Sequence, residues 1–196
     1  MVTLNPSDLS SAPAVLTAIL RELPGTVTTE GSGDSFVFYD PDGITVPERR
    51  FPFITVVTGD RYDAASHLDR DAASFRVNLG VGRPAYEALF GPAPRQAAGY
   101  EVIDTGFDYT SADLVMPHPF YAPMHWVCVV NPGDRTRARL GDLTGVAYDL
   151  VRAHYRGPSE ESRGLGRLGV GGVWGVGGIA GADGGAGADG GAGVAR

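Results

Sequence analysis

Apolar positions along the chain fall into segments whose spacing predicts a short series of elements. Val15, Leu16, Ile19, Leu20 and Leu23 recur at helical spacing, with Ser11 placed to cap the helix, Pro13 in its first turn and Pro24-Gly25 as its stop. Thr26–Glu30 and Ser35–Tyr39 read as two short strands joined through Gly31-Ser32-Gly33, and Asp40-Pro41-Asp42-Gly43 reads as a turn. Phe53–Val57 is apolar almost throughout, as in a strand covered on both faces, so it is expected near the centre of a sheet. Residues 75–81 alternate instead: Phe75, Val77, Leu79 and Val81 on one face, Arg76, Asn78 and Gly80 on the other. One face is predicted to meet the core and the other to be polar.

Further along, Pro84–Phe90 predicts a short helix closed by Gly91-Pro92, and Tyr100–Asp104 a short edge strand. Pro117, Pro119 and Pro123 prevent the stretch from Met116 to Met124 from being a helix or a regular central strand. Trp126–Val130, five apolar residues in a row, predicts a buried strand ended by Asn131-Pro132-Gly133. Leu140–Tyr155 predicts a last helix with Leu140, Leu143, Ala147, Leu150, Val151 and His154 on one stripe. The fold class expected is α+β: a single domain, residues 1–156, with a mostly antiparallel sheet on which an N-terminal and a C-terminal helix pack.

Composition adds a boundary. After Gly157 the chain holds more than half of its 29 glycines and repeats Gly-Ala-Asp-Gly-Gly-Ala at 181–186 and 187–192. Such a segment buries too little to offset roughly 1–2 kcal/mol of backbone entropy per residue, so residues 157–196 are expected to be a disordered Gly/Ala-rich tail. Within it, Leu165–Ile179 carries Val170, Val173, Trp174 and Val176 and could make a weak contact. No basic cluster with an apolar run opens the chain and no stretch is long and apolar enough for a membrane span, so a cytoplasmic location without membrane contact is expected.

Charge and residue counts exclude several chemistries. All 16 basic residues are arginine, which removes Schiff-base lysine chemistry, the lysine-bearing phosphate loop and the protein kinase lysine together. The formal charge of -7 disfavours nucleic acid as a partner, because duplex binding depends on clustered positive charge. With one cysteine, Cys128, no intrachain disulfide or thiolate cluster forms, and its place in an apolar strand reads as core. Gly-x-Ser-x-Gly is absent, so serine hydrolysis has no positive support.

Three stretches carry candidate chemistry. Gly80-Val81-Gly82-Arg83-Pro84-Ala85, with Asp104 downstream, matches the dinucleotide-binding pattern, but a helix of about two turns is too short for a crossover, and a plain strand-to-helix turn is the competing reading. Asp60, Asp63, His67, Asp69 and Asp71 form an oxygen-rich connection that could hold a divalent cation or simply cap turns and pair with Arg61 and Arg70. His118–Pro132 is the densest stretch, with His118, Tyr121, His125 and Trp126 on a proline-bent approach to a strand.

Two functional readings follow. One is a non-catalytic domain binding a small molecule or a protein through Arg76 and Asn78 on the polar sheet face, the Asp60, Asp63, Asp69 and Arg70 loop, and His118, Tyr121, His125 and Trp126, with no cofactor or metal. The other is a metal-assisted, hydrolase-like enzyme using His118, His125 and Asp60 or its neighbouring aspartates. Oligomeric state is left open.

The chain also resembles an uncharacterised, mainly actinobacterial family, domain of unknown function family 6194. The resemblance is carried by Phe38-Tyr39-Asp40-Pro41-Asp42-Gly43, Phe51-Pro52-Phe53 with Thr58-Gly59-Asp60, Tyr62-Asp63 with Ser66 and Leu68-Asp69-Arg70, Phe75 to Val81, and His118-Pro119 with Tyr121-Ala122-Pro123 and His125-Trp126-Val127. It spans roughly residues 14–156 and implies no established activity. His125-Trp126-Val127 followed by a helix with Tyr148-Asp149-Leu150-Val151 is similar to the end of MmcQ/YjbR-like double-wing proteins. That similarity implies a small α+β domain for nucleic acid or small partners, and the acidity of this chain speaks against the first.

Overall fold

In the computed structural model, residues 2–43, 51–61, 64–95 and 101–155 are described. The helix α1 (Ala12–Glu22) begins where the sequence places its cap, with the Ser11 hydroxyl accepting from the backbone N–H of Ala14. The strands β1 (Thr26–Gly31) and β2 (Asp34–Tyr39) form the hairpin, longer than expected because only Ser32 and Gly33 remain in the turn. Both have positive φ, 56° and 89°, as a two-residue hairpin turn that follows the strand twist requires.

Four more strands complete the sheet: β3 (Ile54–Val57), β4 (Arg76–Gly80), β5 (Val115–Pro117) and β6 (Trp126–Val130). Their order is β1-β2-β3-β4-β6-β5, and each neighbouring pair is antiparallel. The chain is therefore α+β, with the apolar β3 inside the sheet as its composition predicts. One edge strand is β1 and the other is β5, which ends in Pro117, a residue that only an edge readily accepts. Glu101–Asp104, part of the expected edge strand, forms none; the Ile103 N–H donates to the Pro119 carbonyl and the Ile103 carbonyl accepts from the Tyr109 hydroxyl.

Helices cover one side. Here α1 packs on β3, α2 (Gly82–Phe90) on β6, and α3 (Arg137–His154) on β2, β4 and α2. Strand alternation supplies this core: Val77 and Leu79 from β4, Ile54 and Val56 from β3, and Val127 and Val129 from β6 share a face by register. Along α3 the buried stripe differs from expectation. His154 is exposed, while Gly141, Thr144, Gly145 and Tyr148 are buried beside Leu140, Leu143 and Ala147. Near the start of α3 the N-terminal segment crosses so closely that a Cβ on Gly141 would run into the Val2 carbonyl oxygen, which accounts for the buried Gly141.

Among the described residues the opposite side of the sheet carries no α-helix. A smaller core of Val57, Leu68, Tyr109, Met116, Cys128 and Val130 lies there under the connections 64–74 and 101–114. Among the described residues no helix is long and apolar enough to cross a membrane. The expected tail, 157–196, and the contact proposed for Leu165–Ile179 lie outside the described residues, as does Asp63.

Candidate functional site

The side of the sheet away from the helices keeps its polar character but is not open to solvent. Arg76 and Asn78 are each 2% exposed, and the connection after β3 folds back onto Arg76. From it, Ser66 accepts a hydrogen bond from the Arg76 guanidinium (2.8 Å), and across the sheet Asn78 donates through Nδ2 to the Thr55 hydroxyl (2.8 Å). The Asn78 amide oxygen is sealed and accepts no hydrogen bond among the described residues. Such a group costs stability on the scale of about 1–3 kcal/mol, which marks this face as poorer in packing energy than the helix side.

His118 extends the same side from β5. Its Nδ1 accepts from the backbone N–H groups of Phe120 (3.1 Å) and Tyr121 (3.2 Å), so in the neutral ring the proton sits on Nε2. Burial, with the positive charge of Arg76 adding to it, holds the imidazole pKa well below the ordinary 6.5. The ring therefore stays uncharged near neutrality. It lies 4.7 Å from the Tyr121 ring and 6.4 Å from that of Trp126, forming an aromatic corner of which Tyr121, 36% exposed, is the outer member.

His125 does not join that corner. Its backbone is left-handed, φ 63°, and its ring meets Tyr86 of α2 edge-on at 5.7 Å, toward the helices. The two imidazoles have different partners, and the Nδ1 of His118 is already occupied. Among the described residues no group of three or more His, Cys, Asp or Glu side chains is arranged to hold a metal ion. The set His118, His125 and Asp60 is thus not assembled. Cys128 is fully buried in the smaller core, its thiol 3.6 Å from the Pro117 carbonyl.

The loop carboxylates first of all fix their own loop. Asp60 accepts from the Leu68 N–H (2.8 Å), and Asp69 accepts from the Asp60 N–H (3.2 Å). These bonds hold a 3-10 turn, Leu68–Arg70, whose Leu68 enters the smaller core. Arg70 stays exposed, its Nε reaching the His67 carbonyl at 3.4 Å. What the staple leaves is a cleft of about 420 Å³ at the hairpin end of the sheet, lined by Ser32, Asp34, Thr58, Gly59, Asp60, Arg61 and Asp69.

Asp34 is the residue the sequence does not reveal. It opens β2, is 2% exposed, and accepts the Thr58 N–H at 2.7 Å. Burial raises its carboxyl pKa above the ordinary value, with Thr58, Arg61 and Arg76 pulling the other way. Thr55 is equally unmarked, and Ser66 enters the sequence reading only through the family resemblance, since neither sits in a chemical motif.

The glycine pattern at 80–85 has a packing explanation. A Cβ on Gly80 would meet the Trp126 indole at 3.1–3.3 Å, and one on Gly82, φ 73°, would meet Leu150 at 2.8 Å. The first glycine lets Trp126 lie against β4; the second lets α2 start beside α3. A parallel strand-helix-strand unit, which a dinucleotide site needs, is absent from this antiparallel sheet.

Residues 11–160 match the model of a family described as of unknown function (DUF6194). No curated protein matches the chain. Among solved structures, a crystal structure of the Deinococcus radiodurans protein DR2400, of domain family DUF419, is similar at 17% identity, with 81% of this chain and 89% of that one covered and a TM-score of 0.43.

Proposed function

The chain belongs to the DUF6194 family, and within that family of unknown function we propose that it is a non-catalytic domain that binds a small polar molecule on the side of the sheet away from the helices. The observation that carries this reading is the cleft at the hairpin end of that side. Its walls are held by the fold rather than by the contents: Thr58 fixes Asp34, Leu68 fixes Asp60, and the Asp60 backbone fixes Asp69. Preorganised polar groups in a concave site are what small-molecule recognition uses.

Features of a catalytic centre do not gather there. No histidine or cysteine lines the cleft, and the His118 ring is committed to backbone donors elsewhere on the sheet. The Arg76–Ser66 bond ties the sheet to the loop that walls the cleft, so Arg76 serves the site as a positioning residue.

Thermal unfolding of the full chain with a panel of small polar metabolites tests the proposal. A bound compound at about one hundred times its Kd adds about 2.7 kcal/mol of stability. The expected result is a rise in Tm for the wild type that is lost in Asp69→Ala and Arg61→Ala and retained in Leu89→Ala, with the compound recovered unchanged. Turnover of the compound, or a rise untouched by both cleft variants, would overturn the proposal.

A further inference from the structure

Taking the cleft as a small-molecule site, we infer that it receives a compact zwitterion of the amino-acid kind, with an ammonium against Asp34, a carboxylate against Arg61, and a preference for members carrying an additional positive charge. The inference rests on the proposal above and adds the ligand class.

The four charged groups in the cleft are not equally available. One oxygen each of Asp60 and Asp69 is used by backbone N–H groups. Asp34 is more than nine-tenths buried and lines the cleft, and only its Oδ1 is engaged, by the N–H and hydroxyl of Thr58. Its Oδ2 has no hydrogen-bond partner among the described residues, although a carboxylate there can accept more than one. That oxygen is not among the sealed polar atoms, so it is open to the cleft, and an ammonium with three N–H groups can donate to it there.

Arg61 gives the second half. It is exposed on the cleft wall and makes no hydrogen bond or ion pair with the described residues, yet it is close enough to Asp34 to draw its carboxyl pKa down. A guanidinium in this position presents a planar fork suited to a carboxylate. A ligand with one charge alone would satisfy one of the two groups, whereas an amino acid satisfies both. Three carboxylates against one guanidinium then leave the cleft negative, which favours a cationic side chain on the ligand.

Calorimetric titration of the full chain with L-lysine, L-alanine, cadaverine and succinate tests this. Cadaverine is lysine without its carboxylate, and succinate carries no ammonium. The expected order is L-lysine, then L-alanine, with cadaverine weaker than L-lysine by at least about tenfold, the scale of one charge-assisted hydrogen bond, and succinate silent. Asp34→Asn keeps the oxygen that accepts from Thr58, so the fold is retained while L-lysine affinity falls by at least about tenfold. Arg61→Ala, at an exposed position, produces a similar loss. Equal affinity for L-lysine and cadaverine, or unchanged L-lysine binding in Arg61→Ala, would overturn the inference. So would no heat from either amino acid at roughly 10 mM, well above a Kd of about 1 mM. If another compound of the metabolite panel raises Tm in an Arg61-dependent way, the cleft stands as a binding site and the zwitterion falls. If none does, both fall.

Discussion

The two sides of one sheet are built from alternate residues of the same strands, and they do opposite things. Toward the helices, Val77, Leu79, Val127 and Val129 share one core with residues of α1, α2 and α3, and apolar area leaves water at about 25 cal/mol per Å². Away from the helices, the intervening positions carry Arg76, Asn78, Thr55 and, beyond β5, His118, all of them buried. Burying a charge and an amide there costs stability unless each is matched. The first side holds the fold together; the second holds polar groups in place. A surface organised in that second way is where recognition is to be sought.

The comparison can be broken by substitution. Leu79→Ala on the helix side should have the largest effect, lowering stability by about 2–5 kcal/mol in chemical denaturation, because Leu79 is fully buried in the main core. On the other side, Ser66→Ala should cost less, about 1–3 kcal/mol, by taking an acceptor from the buried Arg76. If the two losses came out in reverse order, the division of labour between the faces would be wrong.

A pH measurement sharpens the contrast. The folded pKa of His118 lies below its unfolded value of 6.5, so the unfolded chain binds more protons in the window beneath 6.5. The contribution of His118 is fully present above about 6.5 and is lost as pH falls toward the folded pKa. Asp113 acts in a lower window. Although burial raises its pKa, hydrogen bonds from Thr136, Gly133 and Arg135 bring it below the ordinary 3.8, and the stability it gives is lost only as pH falls below that value. His118→Asn, which can present an oxygen where Nδ1 stood, should flatten the slope of stability against pH just under 6.5 and leave the lower window unchanged. A slope identical to that of wild type would contradict the assignment.

The smallest effect belongs to Asn78. Its amide oxygen already lacks a partner, and its one bond goes to Thr55. Replacing both, Thr55→Val with Asn78→Leu, should change stability by less than about 1 kcal/mol, as read from denaturant midpoints.

The helix side was legible in the sequence because periodicity reports which residues share a face. Val77 and Leu79 announce it by alternation, and Ser11 and Pro24-Gly25 mark the ends of α1. His154 misled because it is the last residue of α3, beyond the buried part of the stripe, which ends at Tyr148. The cleft was only partly legible. Asp60 and Asp69 stood out as acids in a loop, but Asp34 lies far from them in the chain and has no pattern of its own. Only the pairing of β2 with β3 brings it beside Thr58. Arg76 and Asn78 were visible as a polar face, while the bond from Arg76 to Ser66 depended on how a connection without periodicity folds back. The segment from His118 to Trp126 attracted attention by residue type, and its prolines and register place His118 and His125 against different partners.

The most direct test of the central claim is an amide and indole chemical-shift titration of the isotopically labelled full chain with the compound that most raises its Tm. Saturable shifts are expected at Asp34, Thr58, Gly59 and Arg61, smaller ones through Ser66 and Arg76, and none along α1 or in a separate groove beside α2 that Tyr86, Leu89, Phe90 and Phe107 line. Shifts centred on that groove, with the cleft residues unmoved, would contradict that claim.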